Sequence, residues 1–308
     1  MKKIVVVGSL NMDMSARVKC IPTTGETTMG SNLVMVPGGK GANQACTVGK
    51  LGGNVVMLGS IGNDEAGRRI KKELDLAGVD TEKLRISSRE SSGTAWICVD
   101  REGNNSIIVL PGANDCCNEG YIATHRRQIE ECDCLLVQLE IPLKAVILSM
   151  RIAHEAGKYV ILNPAPAKGE MPEEVFRMAD LITPNETELF LLTGNYVSNP
   201  TQEDIEKQAG RILGRGAGEV LVTLGEKGSM LAQGRKRTIF PALKVEAVDT
   251  TGAGDCFNGA LAVALTEGKS MEAAIRFASA AAALSVQKNG AQSSIPERGE
   301  VEALCNIF

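Results

Sequence analysis

The segment Val248-Asp249-Thr250-Thr251-Gly252-Ala253-Gly254-Asp255 holds residue types suited to moving a phosphoryl group. Its two glycines let the backbone come close to a ligand. Phe257, Leu261, Ala264 and Leu265 then repeat at helical spacing. A helix start offers unpaired N–H groups and the positive end of a dipole, which together suit an anion. Asp255 stands at that start, where a carboxylate can take the proton of an attacking hydroxyl. The same residue would also serve as a plain helix cap, and the segment alone supports both readings.

Other segments offer recognition rather than reaction. Gly8-Ser9-Leu10-Asn11-Met12-Asp13 follows an apolar run, and in extended chain Asn11 and Asp13 point the same way. An amide beside a carboxylate supplies donors and acceptors for paired hydroxyls, although Asx residues after a strand also make ordinary turns. Pro37-Gly38-Gly39-Lys40-Gly41-Ala42-Asn43-Gln44 places glycines before a helical pattern that starts near Ala42, with Lys40 and Asn43 as donors. In Pro184-Asn185-Glu186-Thr187-Glu188, Asn185 and Glu188 share a helix face. That pair could hold the water ligands of Mg²⁺ or simply cap a helix. Thr223-Leu224-Gly225-Glu226-Lys227-Gly228 is a glycine-flanked turn, able to cradle a nucleotide or merely to reverse the chain. No G-x-x-x-x-G-K-[ST] loop, G-x-G-x-x-G fingerprint or G-x-S-x-G elbow is present, and His125 and His154 are isolated.

The elements that must position these residues are short. Ile4–Val7, Leu135–Val137, Val160–Leu162, Leu181-Ile182 and Val220–Val222 are apolar runs of the kind buried on both faces of a parallel sheet. Helical patterns at Ala145–Ala156 and Asp204–Leu213 lie between them. The alternation predicts an α/β fold with a doubly wound, mostly parallel sheet flanked by helices. Thr27–Val36 and Gly93–Leu110 alternate instead, with a turn at Asp100-Arg101-Glu102-Gly103-Asn104-Asn105. They predict either a small projecting β-layer or an extension of the sheet edge. Ligands in open α/β sheets bind beyond the carboxyl ends of the strands, so the polar residues ending these runs define one candidate surface.

Composition narrows the classes. The 308 residues are 44% hydrophobic and 23% charged, with a formal net charge of -4. No basic patch suggests nucleic acid, and no apolar stretch nears the ~20 residues that span a bilayer. Nine scattered cysteines, with no C-x-x-C pair, read as reduced thiols of a cytoplasmic protein. The run after Met1-Lys2-Lys3 is too short for a signal peptide.

Taken in order, these segments resemble the ribokinase family of carbohydrate kinases over nearly the whole chain. The resemblance rests on Gly8–Asp13, Gly38-Gly39-Lys40-Gly41-Ala42-Asn43-Gln44-Ala45, Asn163-Pro164-Ala165-Pro166-Ala167, Pro184–Glu188 and Thr250–Asp255. It implies a single kinase domain over residues 1–308 and ATP-dependent phosphorylation of D-ribose at its 5-hydroxyl. A β-sheet lid, with strands within about 14–37 and 91–111, would cover the sugar and pair two subunits as a homodimer. By the same resemblance Asn11, Asp13, Gly39, Lys40, Asn43 and Glu140 contact the sugar, as does the base, Asp255. Gly252, Ala253 and Gly254 form the anion hole. Asn185, Thr223, Leu224, Gly225, Glu226, Lys227, Gly228, Gly254 and Ser279 contact ATP. A monovalent cation, usually K⁺, falls to Asp249, Thr251, Ser285, Lys288, Gly290 and Ser294, and Mg²⁺ to Glu188 through water. Ser279 departs from the histidine or asparagine that some relatives carry near adenine. Kinases for deoxyribose, fructose or adenosine are the near alternatives; a non-catalytic sensor and a nicotinamide oxidoreductase are the distant ones.

Overall fold

The computed structural model describes residues 2–167, 169 and 171–307; Met1 and Phe308, the ends of the expected domain, lie outside that set. Its strands are β1 (Lys3–Val7), β2 (Asn11–Val18), β3 (Gly30–Gly38), β4 (Asn54–Leu58), β5 (Ser60–Gly62), β6 (Arg85–Ser87) and β7 (Gly93–Val99). There follow β8 (Asn105–Leu110), β9 (Cys134–Val137), β10 (Tyr159–Leu162), β11 (Leu181–Ile182), β12 (Glu219–Thr223), β13 (Ser229–Gln233) and β14 (Lys236–Phe240).

The expected α/β sheet is present. Eight strands lie in the order β14-β13-β12-β11-β10-β9-β1-β4. All pairs from β12 to β4 are parallel, while β13 and β14 close one edge antiparallel. Alternation of side chains splits the apolar runs between two cores. Val6, Leu136, Ile161 and Leu221 face a layer that includes Leu261 and Ile275, from the helices Ala253–Thr266 and Met271–Ser285. Val5, Val137, Leu162 and Val222 face the opposite layer, with Val146 of the helix Leu143–Glu155 and Ile212 of the helix Gln202–Gly214. Burial on both faces explains why these strands read as unbroken apolar runs. Local signals set several helix starts: Thr201 and Asp204 form a capping box, and Asp64 and Ser270 cap through their side chains.

The two alternating regions form a separate sheet of order β3-β2-β7-β8, rather than an extension of the main edge. Its turn at 100–105 joins β7 to β8 as an antiparallel hairpin, with Val99 opposite Asn105. One boundary shifts. The small sheet begins at Asn11, so Asn11 and Asp13 belong to β2, one of its interior strands. Within the main sheet, chain order reverses between β1 and β9, which opens a crevice beyond their carboxyl ends.

Candidate active site

A hydrogen bond spans that crevice. The Ser9 hydroxyl, after β1, donates to Glu140 Oε2, after β9, at 2.6 Å. The Lys40 backbone N–H donates to the same oxygen at 3.1 Å. Gly39 turns the chain here with φ 89°, and a Cβ would lie 2.7 Å from the Asn11 nitrogen. Only glycine lets the helix Lys40–Lys50 start against the small sheet at this point.

Asp255 does not cap its helix. Gly252, at φ 75°, occupies the cap position of Ala253–Thr266, and no side chain caps that end. The Ala253 N–H turns back to the Thr250 carbonyl at 3.2 Å, and among the described residues those of Gly254 and Asp255 have no partner and are left for a ligand. A Cβ on Gly254 would meet nothing within 4 Å, so the approach to those groups is open. Asp255 itself is 7% exposed. Asn43 Nδ2 donates to its Oδ2 at 3.0 Å, and Gln44 Nε2 donates to its Oδ1 at 3.0 Å.

The charges gathered here perturb one another. Burial raises the Asp255 carboxyl above its ordinary value, opposed by Lys40 and the two amides. Burial, with the Glu140 and Asp255 carboxylates, pushes Asp13 up to about 6. For Lys40, burial works against the charge but four carboxylates outweigh it: Asp255, Glu140, Glu188 and Asp13 hold the ammonium above its usual value. A lone cation among four acids suits a polyhydroxylated ligand that needs donors and acceptors on one rim.

Several residues expected to contact ATP lie near this cluster, with Glu188 close enough to act on Lys40. Asn185 and Glu188 form a capping box: Asn185 Oδ1 accepts the Glu188 N–H at 2.8 Å, and Glu188 Oε2 accepts the Asn185 N–H at 2.9 Å. Burial raises the Glu188 carboxyl. Asn185 pairs with Thr223 in an isolated parallel bridge, which brings the turn of Leu224, Gly225, Glu226, Lys227 and Gly228 alongside. A Cβ on Gly225 would meet nothing within 4 Å. Ser279 is half-buried on the helix Met271–Ser285, and among the described residues no hydrogen bond ties it to this cluster.

Asp249 ties two loops together. Its Oδ1 accepts the Thr251 N–H and its Oδ2 the Gly290 N–H, each at 2.9 Å. Those bonds outweigh burial and hold its carboxyl below the ordinary value. The Ser285 and Ser294 hydroxyls donate to Ala282 and Ala291 carbonyls, and the Lys288 ammonium turns away to Glu300. Lys288 would therefore serve a cation through its backbone.

Sequence reasoning did not assign roles to a buried polar set behind these residues. Gln44 also donates to Asn163, Asn163 donates to the Thr183 carbonyl, and Thr183 donates to Asn258 at 2.6 Å. Asn258 then donates to the Gly254 carbonyl at 2.8 Å. Gln138, Asn163 and Thr183 end β9, β10 and β11, so their signal lay in the strand-terminal positions. Asn114 and Gln292 carried no local signal.

Known proteins resemble this chain over nearly its whole length. A pfkB family carbohydrate kinase profile matches residues 1–298. Ribokinase of Haemophilus influenzae is 42% identical over 299 residues, covering 97% of each chain. The structure of ribokinase from Thermotoga maritima superimposes with a TM-score of 0.90 at 40% identity, covering 99% of this chain and 100% of that one. That of Arabidopsis thaliana ribokinase complexed with ribose and ATP gives 0.92 at 36% identity, covering 99% of this chain and 98% of the other. With the fold, the gathered rim and these matches in agreement, the chain belongs to the pfkB family of carbohydrate kinases.

Proposed function

We propose that the chain phosphorylates D-ribose at O5 with ATP, giving D-ribose 5-phosphate and ADP. The observation that carries this reading is Asp255: a buried carboxylate held by two amides at the start of an uncapped helix. The relatives' names and the ribose and ATP bound in the Arabidopsis structure support the substrate pair.

In this reading Asn11, Asp13, Gly39, Lys40, Asn43 and Glu140 hold the sugar. Asp255 takes the proton of the 5-hydroxyl as its oxygen bonds to the γ-phosphorus and the bond to ADP breaks. The N–H groups of Gly252, Ala253 and Gly254 would receive the charge of the migrating phosphoryl, that of Ala253 by leaving the Thr250 carbonyl it now holds. Asn185, the Thr223–Gly228 turn and Ser279 hold the nucleotide.

The donor sets fit two kinds of ion. Among the described residues no group of three or more His, Cys, Asp or Glu gathers to hold a metal. Mg²⁺ bound with ATP would neutralise phosphate charge, with Glu188 reaching it through water. Asp249 brings a carboxylate to Thr251 and Gly290, while Glu300 is engaged by the Lys288 ammonium. A single charge among backbone and hydroxyl oxygens suits a weakly bound monovalent cation such as K⁺. Asp249 lies six residues before Asp255, so the cation would stiffen the anion-hole backbone without touching substrate.

The small sheet acts as a lid that excludes water from the transfer. Its edge strand β8 exposes Ile107, Ile108, Val109 and Leu110 in succession. An uncovered apolar edge strand invites pairing, so we assign it to a second copy of this chain in a homodimer. Nine free cysteines support a reducing compartment, the cytoplasm; among the described residues no helix is long and apolar enough to cross a membrane.

The test is an ADP-coupled assay over ribose, deoxyribose, fructose and adenosine. Ribose should give the highest kcat/KM. A higher value for any other acceptor overturns the assignment of substrate.

A further inference from the structure

Two amide chains converge on Asp255, one on each carboxylate oxygen. Gln44 donates to Oδ1 and Asn43 to Oδ2. An ionised carboxylate only accepts, so each amide must turn its NH₂ inward and its oxygen outward. Both outward oxygens are met in the same way. Gln138 Nε2 donates to Gln44 Oε1, and Gln292 Nε2 donates to Asn43 Oδ1 at 3.2 Å. The two outer glutamines then end the chains alike: the Oε1 of Gln138 and the Oε1 of Gln292 are buried and have no hydrogen-bond partner among the described residues.

That symmetry has a physical meaning. A chain of amides whose donors all point at one anion turns an acceptor outward at its far end, and here neither far acceptor is met. An unpaired buried acceptor is a standing cost. Gln138 is fully buried beyond β9, and Gln292 is 8% exposed on the loop that contacts Lys50 through its backbone oxygen.

We propose that Gln138 and Gln292 are positioning residues for the reaction, each orienting and polarising the amide that holds one oxygen of Asp255. The proposal rests on Asp255 acting as the base. Lys40, Glu140, Asp13 and Glu188 also face this carboxylate. Lys40 favours its charge and the three acids oppose it, which leaves the two chains as the uncharged means of keeping it ionised.

The test compares Gln138→Met and Gln292→Met, similar in length but without the amide, with the parent and with Asp255→Asn. Profiles of kcat/KM against pH and thermal melting are measured for each. Either glutamine variant should lose roughly three- to tenfold in kcat at neutral pH. The acid limb of its profile should move to higher pH, so that the loss is greater at pH 6 than at pH 8. Melting should change little, because each substitution exchanges one unpaired buried oxygen for another. A loss equal at every pH, or no loss, overturns the proposal. If Gln138→Met does not fold, Gln292→Met and Gln292→Glu decide it: the carboxylate of the latter cannot donate to Asn43 and should move the limb further. Full turnover by Asp255→Asn would instead remove the base itself, whatever the glutamine variants show.

Discussion

The side-chain amide of Asn114 donates to the carboxamide oxygen of Asn11 at 2.8 Å. The same Asn114 accepts the Leu10 N–H at 2.8 Å and donates to the Leu10 carbonyl at 3.2 Å. One fully buried residue after β8 thus fixes both the entry to the small sheet and the orientation of a proposed sugar contact. Asn114→Ala should raise the KM for ribose while leaving kcat within a fewfold of the parent. It should also cost about 1–3 kcal/mol of stability, because the Leu10 N–H is left buried without a partner. Denaturant melts and steady-state kinetics read the two effects separately.

Asp255→Asn keeps the size and most of the packing of the base but cannot accept the hydroxyl proton. Turnover should fall roughly 10²- to 10⁴-fold, the range general-base catalysis supplies. Ribose binding, followed by calorimetry, should remain measurable. Turnover near the parent value would remove the proposed mechanism.

Asp13 titrates at about 6, above the ordinary carboxylate value, chiefly through burial and then through Glu140 and Asp255. In its proposed role it would accept from sugar hydroxyls when ionised above that pH, and below it the proton would occupy one acceptor. The KM for ribose should therefore rise as pH falls through 6. Asp13→Asn should show a high KM with no inflection there. For the fold the sign is opposite. The folded state binds this proton more tightly than the unfolded chain, so this group's contribution to stability grows as pH falls from 6 toward 3.8.

If the Asp249 loops hold K⁺, replacing potassium with tetramethylammonium should lower kcat severalfold, with a smaller effect on the KM for ribose. Asp249→Ala should abolish the response to potassium. It also frees the Thr251 and Gly290 N–H groups that its carboxylate now holds. A potassium response retained by that variant would place the cation elsewhere.

Much of the architecture was legible as local pattern. Ile4–Val7, Leu135–Val137 and Val220–Val222 read as strands because burial on both faces leaves no room for polar residues. Asp100–Asn105 read as a turn because its residues tolerate turn geometry. The proposed site was legible where short-range composition is unusual: the glycines around Lys40, the Gly252–Asp255 run, and Asn185 with Glu188. A capping box is itself a short-range device, and it formed as the spacing allowed.

What spacing could not supply was the partner of each group. Asp255 meets Asn43 and Gln44 from more than 200 positions away, and Gln292 meets Asn43 across 249. Local sequence left Asp255 as either cap or base. The fold put its carboxylate between two amides, in the first turn of the uncapped helix, because the helices Lys40–Lys50 and Ala253–Thr266 pack against one another there. Which segments carry polar chemistry was written in residue type and short spacing. Which oxygen each donor holds depended on long-range packing, which brings chain ends together only when the core closes.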